Sequence, residues 1–376
     1  MQTHEASKVI SALRNGSPPV DFAEQILSGR QPEIDEFNRC LNSLDTGESS
    51  VKMILGEYGT GKSHLINAMK NIALKQDYII TSFQVNNGFR LNKIDDLYYA
   101  IMHNLIIKNR EQSKTSFNEI FDLWIENLQS APFPDRKRIE INAVCQEISK
   151  YNMTFARAFL MFMRGRIQRN HEMLEVTSAW LTGERHIPYE LKQKYDLIGH
   201  VEKTDTLDFL KAFAKLIHLL GYRGLVIFID ELDQVTFERK DIRLQAYNNL
   251  KQLIDMTATG DLLHTLFVFS GTPELVKDEE KGIPSLESLA QRLSLSSSPE
   301  YANPMQTVIE LVPLTTSQLH WLAEKILSIY AQQTTKVDKL PTLESLLQTM
   351  ASEQDTVTRS FVTRAIQYLD ACVQSN

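Results

Sequence analysis

Apolar residues recur at helical intervals over residues 4–14, and the pattern stops at Asn15-Gly16-Ser17-Pro18-Pro19, because a glycine and paired prolines cannot continue a helix. Residues 32–44, PEIDEFNRCLNSL, place Ile34, Phe37, Leu41 and Leu44 on one helical face, with Pro32 and Glu33 suited to a first turn. The period then changes. VKMIL at 51–55 and YIITSFQV at 78–85 are apolar runs of strand length, and a helix is predicted between them over 62–74. From about 92 to 220 the pattern is mostly helical, with an apolar face in LYYAIMHNLI, FNEIFDLWIENL, TFARAFLMFMRGRI and LDFLKAFAKLIHLL.

LVIFID at 225–230 and LHTLFVFSG at 263–271 are unbroken apolar runs, the mark of parallel strands covered on both faces. QTVIEL at 306–311 reads as a further strand. After Pro313 only helices are predicted, over 316–331, 342–352 and 357–373. The fold class is therefore α/β: a parallel-sheet core with a long helical insertion and a C-terminal helical domain. The expected division is an N-terminal helical segment 1–45, a core 46–312 carrying the insertion at about 92–220, and a helical domain 313–376.

Composition narrows the picture. The 376 residues are 43% hydrophobic and 23% charged, enough for a large core and two or three domains. A net charge of -7 argues against a surface that is basic throughout, so any contact with a polyanion must be local. The best local candidate is Arg164, Arg166 and Arg169, preceded by Lys150; arginines on a helix face are also commonly just solvated. Cys40, Cys145 and Cys372 are far apart and form no C-x-x-C pair, which fits a reducing compartment and suggests neither zinc nor a disulfide framework. No run reaches signal-peptide or bilayer-spanning length, so a cytoplasmic location with no membrane contact is expected.

Two motifs carry chemistry. GEYGTGKS, residues 56–63, fits G-x-x-x-x-G-K-[ST], with an apolar strand before it and a helix after it. Gly56 and Gly61 let the backbone turn so that the amides of the Glu57-Tyr58-Gly59-Thr60 loop and of the helix start, through His64, point inward at phosphates. Lys62 would neutralise phosphate charge and Ser63 would hold Mg²⁺. The second motif, LVIFIDELD, begins 162 residues after the loop ends: an apolar strand closing on Asp230-Glu231, as in a Walker B motif. Asp230 would bind Mg²⁺ through its water shell, and Glu231 would polarise the attacking water.

The combination resembles AAA+ ATPases with a helical lid, and the likeness assigns further roles. Ser270 or Thr272, at the end of the next strand, would contact the γ-phosphate or the water as sensor 1 does, with a strand-capping turn residue as the alternative. Arg30, in SGRQPEI, would lie against the base or ribose, with a solvated arginine as the alternative. Arg292 would act as an arginine finger on a neighbouring subunit's ATP, with a salt bridge as the alternative. Arg364, in TRSFVTRAIQYLD, would be a lid arginine of the sensor 2 kind, with a surface arginine as the alternative.

ISALRNGSPP, SGRQPEIDEF, GEYGTGKS, FQVNNGFRLNKIDDLYYAI, AWLTGE, FIDELD and SFVTRAIQYLD together resemble a narrower group, the P-loop ATP-binding proteins of BREX-type phage-defence and related DNA-processing gene clusters. The resemblance spans nearly the whole chain. It implies an AAA+-like ATPase, related to origin-recognition initiators and STAND-type switches, that acts on DNA or on a DNA-acting partner such as a helicase, nuclease or methyltransferase. Where such relatives often read D-L-S-P-E-R-R-L, this chain has Gln84-Val85-Asn86-Asn87-Gly88-Phe89-Arg90-Leu91, so of that segment only Arg90 carries over. Three readings compete: an ATPase that forms a homo-oligomer and remodels or translocates; a slow ATP-dependent switch that recruits an effector; and a small-molecule kinase, whose chains are usually shorter.

Overall fold

The computed structural model describes residues 2–86, 88–108, 114–129, 134–201, 205–295, 304–351 and 357–374. Residues 109–113, 130–133 and 202–204 of the expected insertion, Asn87 and residue 352 lie outside the described residues. In chain order the elements are α1 (Thr3–Arg14), α2 (Gln31–Leu44), β1 (Ser50–Leu55), α3 (Lys62–Lys75), β2 (Ile79–Gln84), α4 (Ile94–Met102), β3 (Leu105–Ile106), α5 (Asp122–Gln129), α6 (Pro134–Ser149), α7 (Met153–Gln168), α8 (His171–Leu181), α9 (Tyr189–Lys194) and α10 (Thr206–Leu219). There follow β4 (Leu225–Asp230), α11 (Lys240–Thr259), β5 (Thr265–Gly271), α12 (Glu274–Lys277), α13 (Glu287–Arg292), β6 (Val308–Glu310), α14 (Thr316–Gln333), α15 (Leu343–Ala351) and α16 (Thr358–Gln374).

The chain forms two compact units, one of residues 39–53 and 73–299, the other of residues 1–38, 54–72 and 300–376. In the first, the strand order is β3-β2-β4-β5-β1. β4 runs parallel to both β2 and β5, with Ile80 opposite Val226 and Ile227 opposite Phe267. Every residue of β5 is buried, as are the first five of β4, which is why both read as unbroken apolar runs. β3 adds an antiparallel edge of two residues, Leu105 and Ile106, that the hydrophobic pattern did not predict.

Helices α4 to α10 fill the chain between β2 and β4 and bury a core of their own. Phe117, Phe121 and Phe162 meet with ring centroids 4.9–5.3 Å apart, and Tyr98, Phe155 and Trp180 each meet Phe209 within 5.7 Å. The polar tips of the larger rings are satisfied: Tyr98 donates to the Leu181 carbonyl at 2.7 Å and Trp180 to that of Gly199 at 3.2 Å.

In the other unit, the first helix and the last three share one apolar core. Ala6, Val9, Ile10 and Leu13 of α1 recur at helical spacing and pack with Leu322, Ala323 and Ile326 of α14, Leu346 of α15, and Phe361, Ala365 and Leu369 of α16. Arg14 closes the bundle on Asp370 at 2.8 Å, and the Tyr330 hydroxyl donates to the same carboxylate at 2.6 Å. Together these two donors hold the Asp370 carboxyl below its ordinary range, with the Arg14 hydrogen bond the larger cause. Among the described residues no helix is long and apolar enough to cross a membrane.

Candidate functional site

GEYGTGKS occupies the turn between β1 and α3. Gly59 and Gly61 have φ of +83° and +99°, values open to glycine at little cost. A side chain at Gly61 would meet no atom within 4 Å, so this stretch of backbone faces open space. The first helical bond of α3 runs from the Leu65 amide to the Gly61 carbonyl at 3.0 Å. The amides of Lys62, Ser63 and His64 therefore lie in the first turn, where an α-helix has no carbonyl to offer them. Lys62 Nζ donates to the carbonyls of Gly56 and, at 3.1 Å, Glu57, and lies 5.4 Å from the ring centre of Tyr58, which is 73% exposed. An open glycine, the start of a helix and a lysine at the turn are the donor set a polyphosphate requires.

The surroundings of the loop within its unit are polar and specific. Arg30 is 4% exposed; its guanidinium donates to the carbonyls of Thr60 at 3.2 Å and Val312 at 2.8 Å and pairs with Glu33 at 3.5 Å. The arginine expected to lie against a base or ribose thus braces the loop backbone. His64 donates to the Ala23 carbonyl at 2.8 Å, and burial holds its imidazole below its ordinary pKa. One and two turns on, Asn67 and Asn71 donate to the carbonyls of Pro19 and Val20, so a single face of α3 is bound to the connector after α1.

The start of α16 also meets the loop, through the backbone of Arg359. Its amide donates to the Gly59 carbonyl at 3.2 Å, and a side chain at Gly59 would come within 2.5 Å of Val357 and 3.4 Å of Arg359. Arg364 follows five residues later on a part-buried side of the helix. Arg359 lies in the first turn of α16, where the helix offers the amides no carbonyl of its own, so they can bond to a neighbouring loop.

In the other unit, the end of β4 gathers the acidic residues. Asp230 Oδ1 accepts both the Ser270 hydroxyl and the Glu231 amide, the latter at 2.9 Å. These bonds orient the carboxylate and engage only one of its oxygens, and oxygen donors of this kind suit a hard cation such as Mg²⁺. Ser270 is fully buried, as is fitting for a hydroxyl with one assigned partner. Glu231 leaves the strand at φ +57°, an unusual value for a residue with a side chain. Desolvation first, then the charges of Asp230 and Asp233, push its carboxyl above the ordinary range and make it a stronger base. Val85 donates to the Asp230 carbonyl at 3.0 Å, which sets Asn86 and Arg90 around a cavity of about 370 Å³ that Glu231 also lines. Among the described residues no group of three or more His, Cys, Asp or Glu side chains is placed to hold a metal.

Three further candidate cations are paired. Arg292, at the end of α13, pairs with Asp255 of α11 at 2.7 Å while staying 57% exposed, so the salt-bridge alternative is present. In the basic stretch, Arg166 pairs with Asp122 at 2.6 Å and Lys150 with Glu147 at 2.7 Å, which removes two of its four charges from any patch.

A family model described as BREX system ATP-binding protein BrxC/D matches residues 1–376. Comparison with curated proteins found no match.

Proposed function

The chain belongs to the family of BREX system ATP-binding proteins BrxC/D, and from that premise we propose that it is a magnesium-dependent ATPase of the P-loop, AAA+-like kind that works in phage defence. The observation that carries this reading is the GEYGTGKS turn: Gly61 faces open space, and the loop runs directly into the first turn of α3, whose helical bonding starts from the Leu65 amide. Gly56 through His64 would cradle the triphosphate, with the Lys62 ammonium on the outer phosphates. Bound Mg²⁺ would supply charge neutralisation of the phosphates, held by the Ser63 hydroxyl and by Asp230 through water. Glu231, with its raised pKa, would take the proton of the attacking water, and Ser270 would fix Asp230.

The same reading makes the bundle of α1 and α14–α16 a lid, with Arg364 as its lid arginine. The Arg359 amide on the Gly59 carbonyl favours a switch, because whatever holds the loop also holds the start of α16. Arg292 would complete a neighbouring subunit's site in a homo-oligomer. DNA or a DNA-acting component of the same defence system would be the partner, in the cytoplasm.

Equilibrium titration with ATP, with and without Mg²⁺, tests the premise, and two variants test the assignments. Lys62→Ala should abolish nucleotide binding. Glu231→Gln should bind ATP and fail to hydrolyse it. Equal hydrolysis in both would refute the site, and transfer of phosphate to a metabolite would point to a kinase instead.

A further inference from the structure

The turn after β4 holds a third carboxylate, Asp233, whose charge is the smallest of the causes that raise the Glu231 pKa. Asp233 is 7% exposed and sits in the 3-10 turn Leu232–Phe237. Its Oδ1 accepts the backbone N–H of Thr272 at 3.1 Å, and its own carbonyl accepts the Thr236 hydroxyl at 2.8 Å. The turn is fixed at its other end as well, where the Gln234 amide donates to the Glu231 carbonyl at 3.0 Å. Thr272 is two residues beyond Ser270, the residue that reaches Asp230. Between them stands Gly271, where a side chain would sit 3.0 Å from Asp233 Oδ1 and 3.4 Å from its amide nitrogen. The exits of β4 and β5 are thus joined twice, by Ser270 on Asp230 and by Asp233 on Thr272, and a Cβ in the gap would press on Asp233.

Neighbouring parallel strands fix their register through ladder bonds, which here end at Ile229 opposite Phe269. Beyond that pair the β4–β5 ladder no longer ties Ser270 to Asp230, which still pairs with Gln84 of β2. The Asp233–Thr272 bond adds a tie at this point, and a carboxylate buried in this way is retained only where it is hydrogen-bonded.

We propose that Asp233 is a positioning residue for ATP hydrolysis: by accepting the Thr272 amide it locks the exit of β5 to the exit of β4 and so keeps the Ser270 hydroxyl on Asp230. The inference rests on the ATPase reading, and its test separates the two.

In the full chain, Asp233→Ala should lower kcat by about 10- to 100-fold, the usual loss when a group supporting a metal-side residue is removed, with the ATP KM changed by less than about threefold. Asp233→Asn keeps an oxygen acceptor and should restore most of the rate, which a charge effect on Glu231 would not. Combined with Ser270→Ala, Asp233→Ala should cost little more than either change alone, because both break one arrangement. Amide exchange at Thr272 should quicken in Asp233→Ala and stay near that of the unaltered chain in Asp233→Asn. Gly271→Ala crowds the same bond and serves if Asp233→Ala does not fold. Full kcat in Asp233→Ala, or fully additive losses with Ser270→Ala, overturns the proposal. No hydrolysis by the unaltered chain overturns the ATPase reading, and Thr272 exchange then decides alone whether Asp233 holds the β5 exit.

Discussion

The guanidinium of Arg30 donates to the backbone carbonyl of Thr60, 3.2 Å away and inside the glycine-rich loop, and the same group reaches the Val312 carbonyl at 2.8 Å. Burial lowers the pKa of Arg30, with Glu33 acting against that fall, so the side chain is a buried cation whose worth depends on keeping its acceptors. Arg30→Ala would leave two carbonyls short of a donor and should cost on the order of 2–3 kcal/mol of stability. Arg30→Lys should recover little of it, because a single ammonium cannot reproduce the planar fork. Urea denaturation of the three proteins checks this, and a lysine variant as stable as the original would show that charge alone matters.

Gly59 and Gly61 make a controlled pair. Both have φ in the left-handed region, but an added side chain meets Val357 at 2.5 Å from Gly59 and nothing within 4 Å from Gly61. Gly59→Ala should therefore carry strain of about 1–3 kcal/mol together with a clash against the start of α16, and should lower the melting temperature. Gly61→Ala should be the milder change for stability and the more severe for Mg·ATP affinity, since its methyl group enters the space assigned to phosphate. Differential scanning calorimetry and ATP titration on the two variants, expected to rank in opposite orders, test the assignment of that space.

What could be read from the chain follows its physics. LVIFID coincides with the strand Leu225–Asp230 because burial on both faces leaves a run that no helical period fits. The helices at 4–14 and 32–44 were legible to within one residue at each end, because their apolar faces stop at strong breakers or at a polar loop. β3 was not legible, since two residues carry no period. The Thr60 and Val312 partners of Arg30, the Ala23 partner of His64 and the Thr272 partner of Asp233 were hidden for another reason: all are backbone groups, which any residue supplies. Arg359 was passed over because amphipathic spacing draws attention to Arg364 near the apolar face, whereas the contact with Gly59 is made by the amide of the first helical turn.

Two stacked imidazoles predict an acid-sensitive core. The rings of His218 and His264 lie 3.6 Å apart, with His264 Nδ1 donating to the Leu44 carbonyl at 2.7 Å. Burial is the main cause that lowers both pKa values; Lys215 lowers both further, while Asp45 opposes. Because the folded values lie below the ordinary value of about 6.5, the unfolded chain takes up protons first as pH falls. Stability from these groups is therefore complete above about pH 6.5 and declines as acidification proceeds toward the folded values. His218→Phe keeps a ring in the stack and removes one titration, so its melting temperature should fall less between pH 7.5 and pH 5.5 than that of the unaltered chain. Parallel slopes would exclude the pair as the cause.

Arg292 offers the sharpest test of assembly. Its pairing with Asp255 is exposed, and Lys251 also binds that carboxylate at 3.0 Å, so the pair contributes about 0–1 kcal/mol and Asp255 keeps a partner without it. Arg292→Ala should therefore leave the melting temperature within about 2 °C. If this arginine reaches the ATP of a neighbouring subunit, turnover per chain should rise with protein concentration in the unaltered protein and stay flat in Arg292→Ala. Asp255→Ala breaks the same ion pair but leaves the guanidinium in place, so its concentration dependence should persist. A rise that survives in Arg292→Ala, or one lost equally in Asp255→Ala, would assign Arg292 to the salt bridge alone and require another group to complete the neighbouring site.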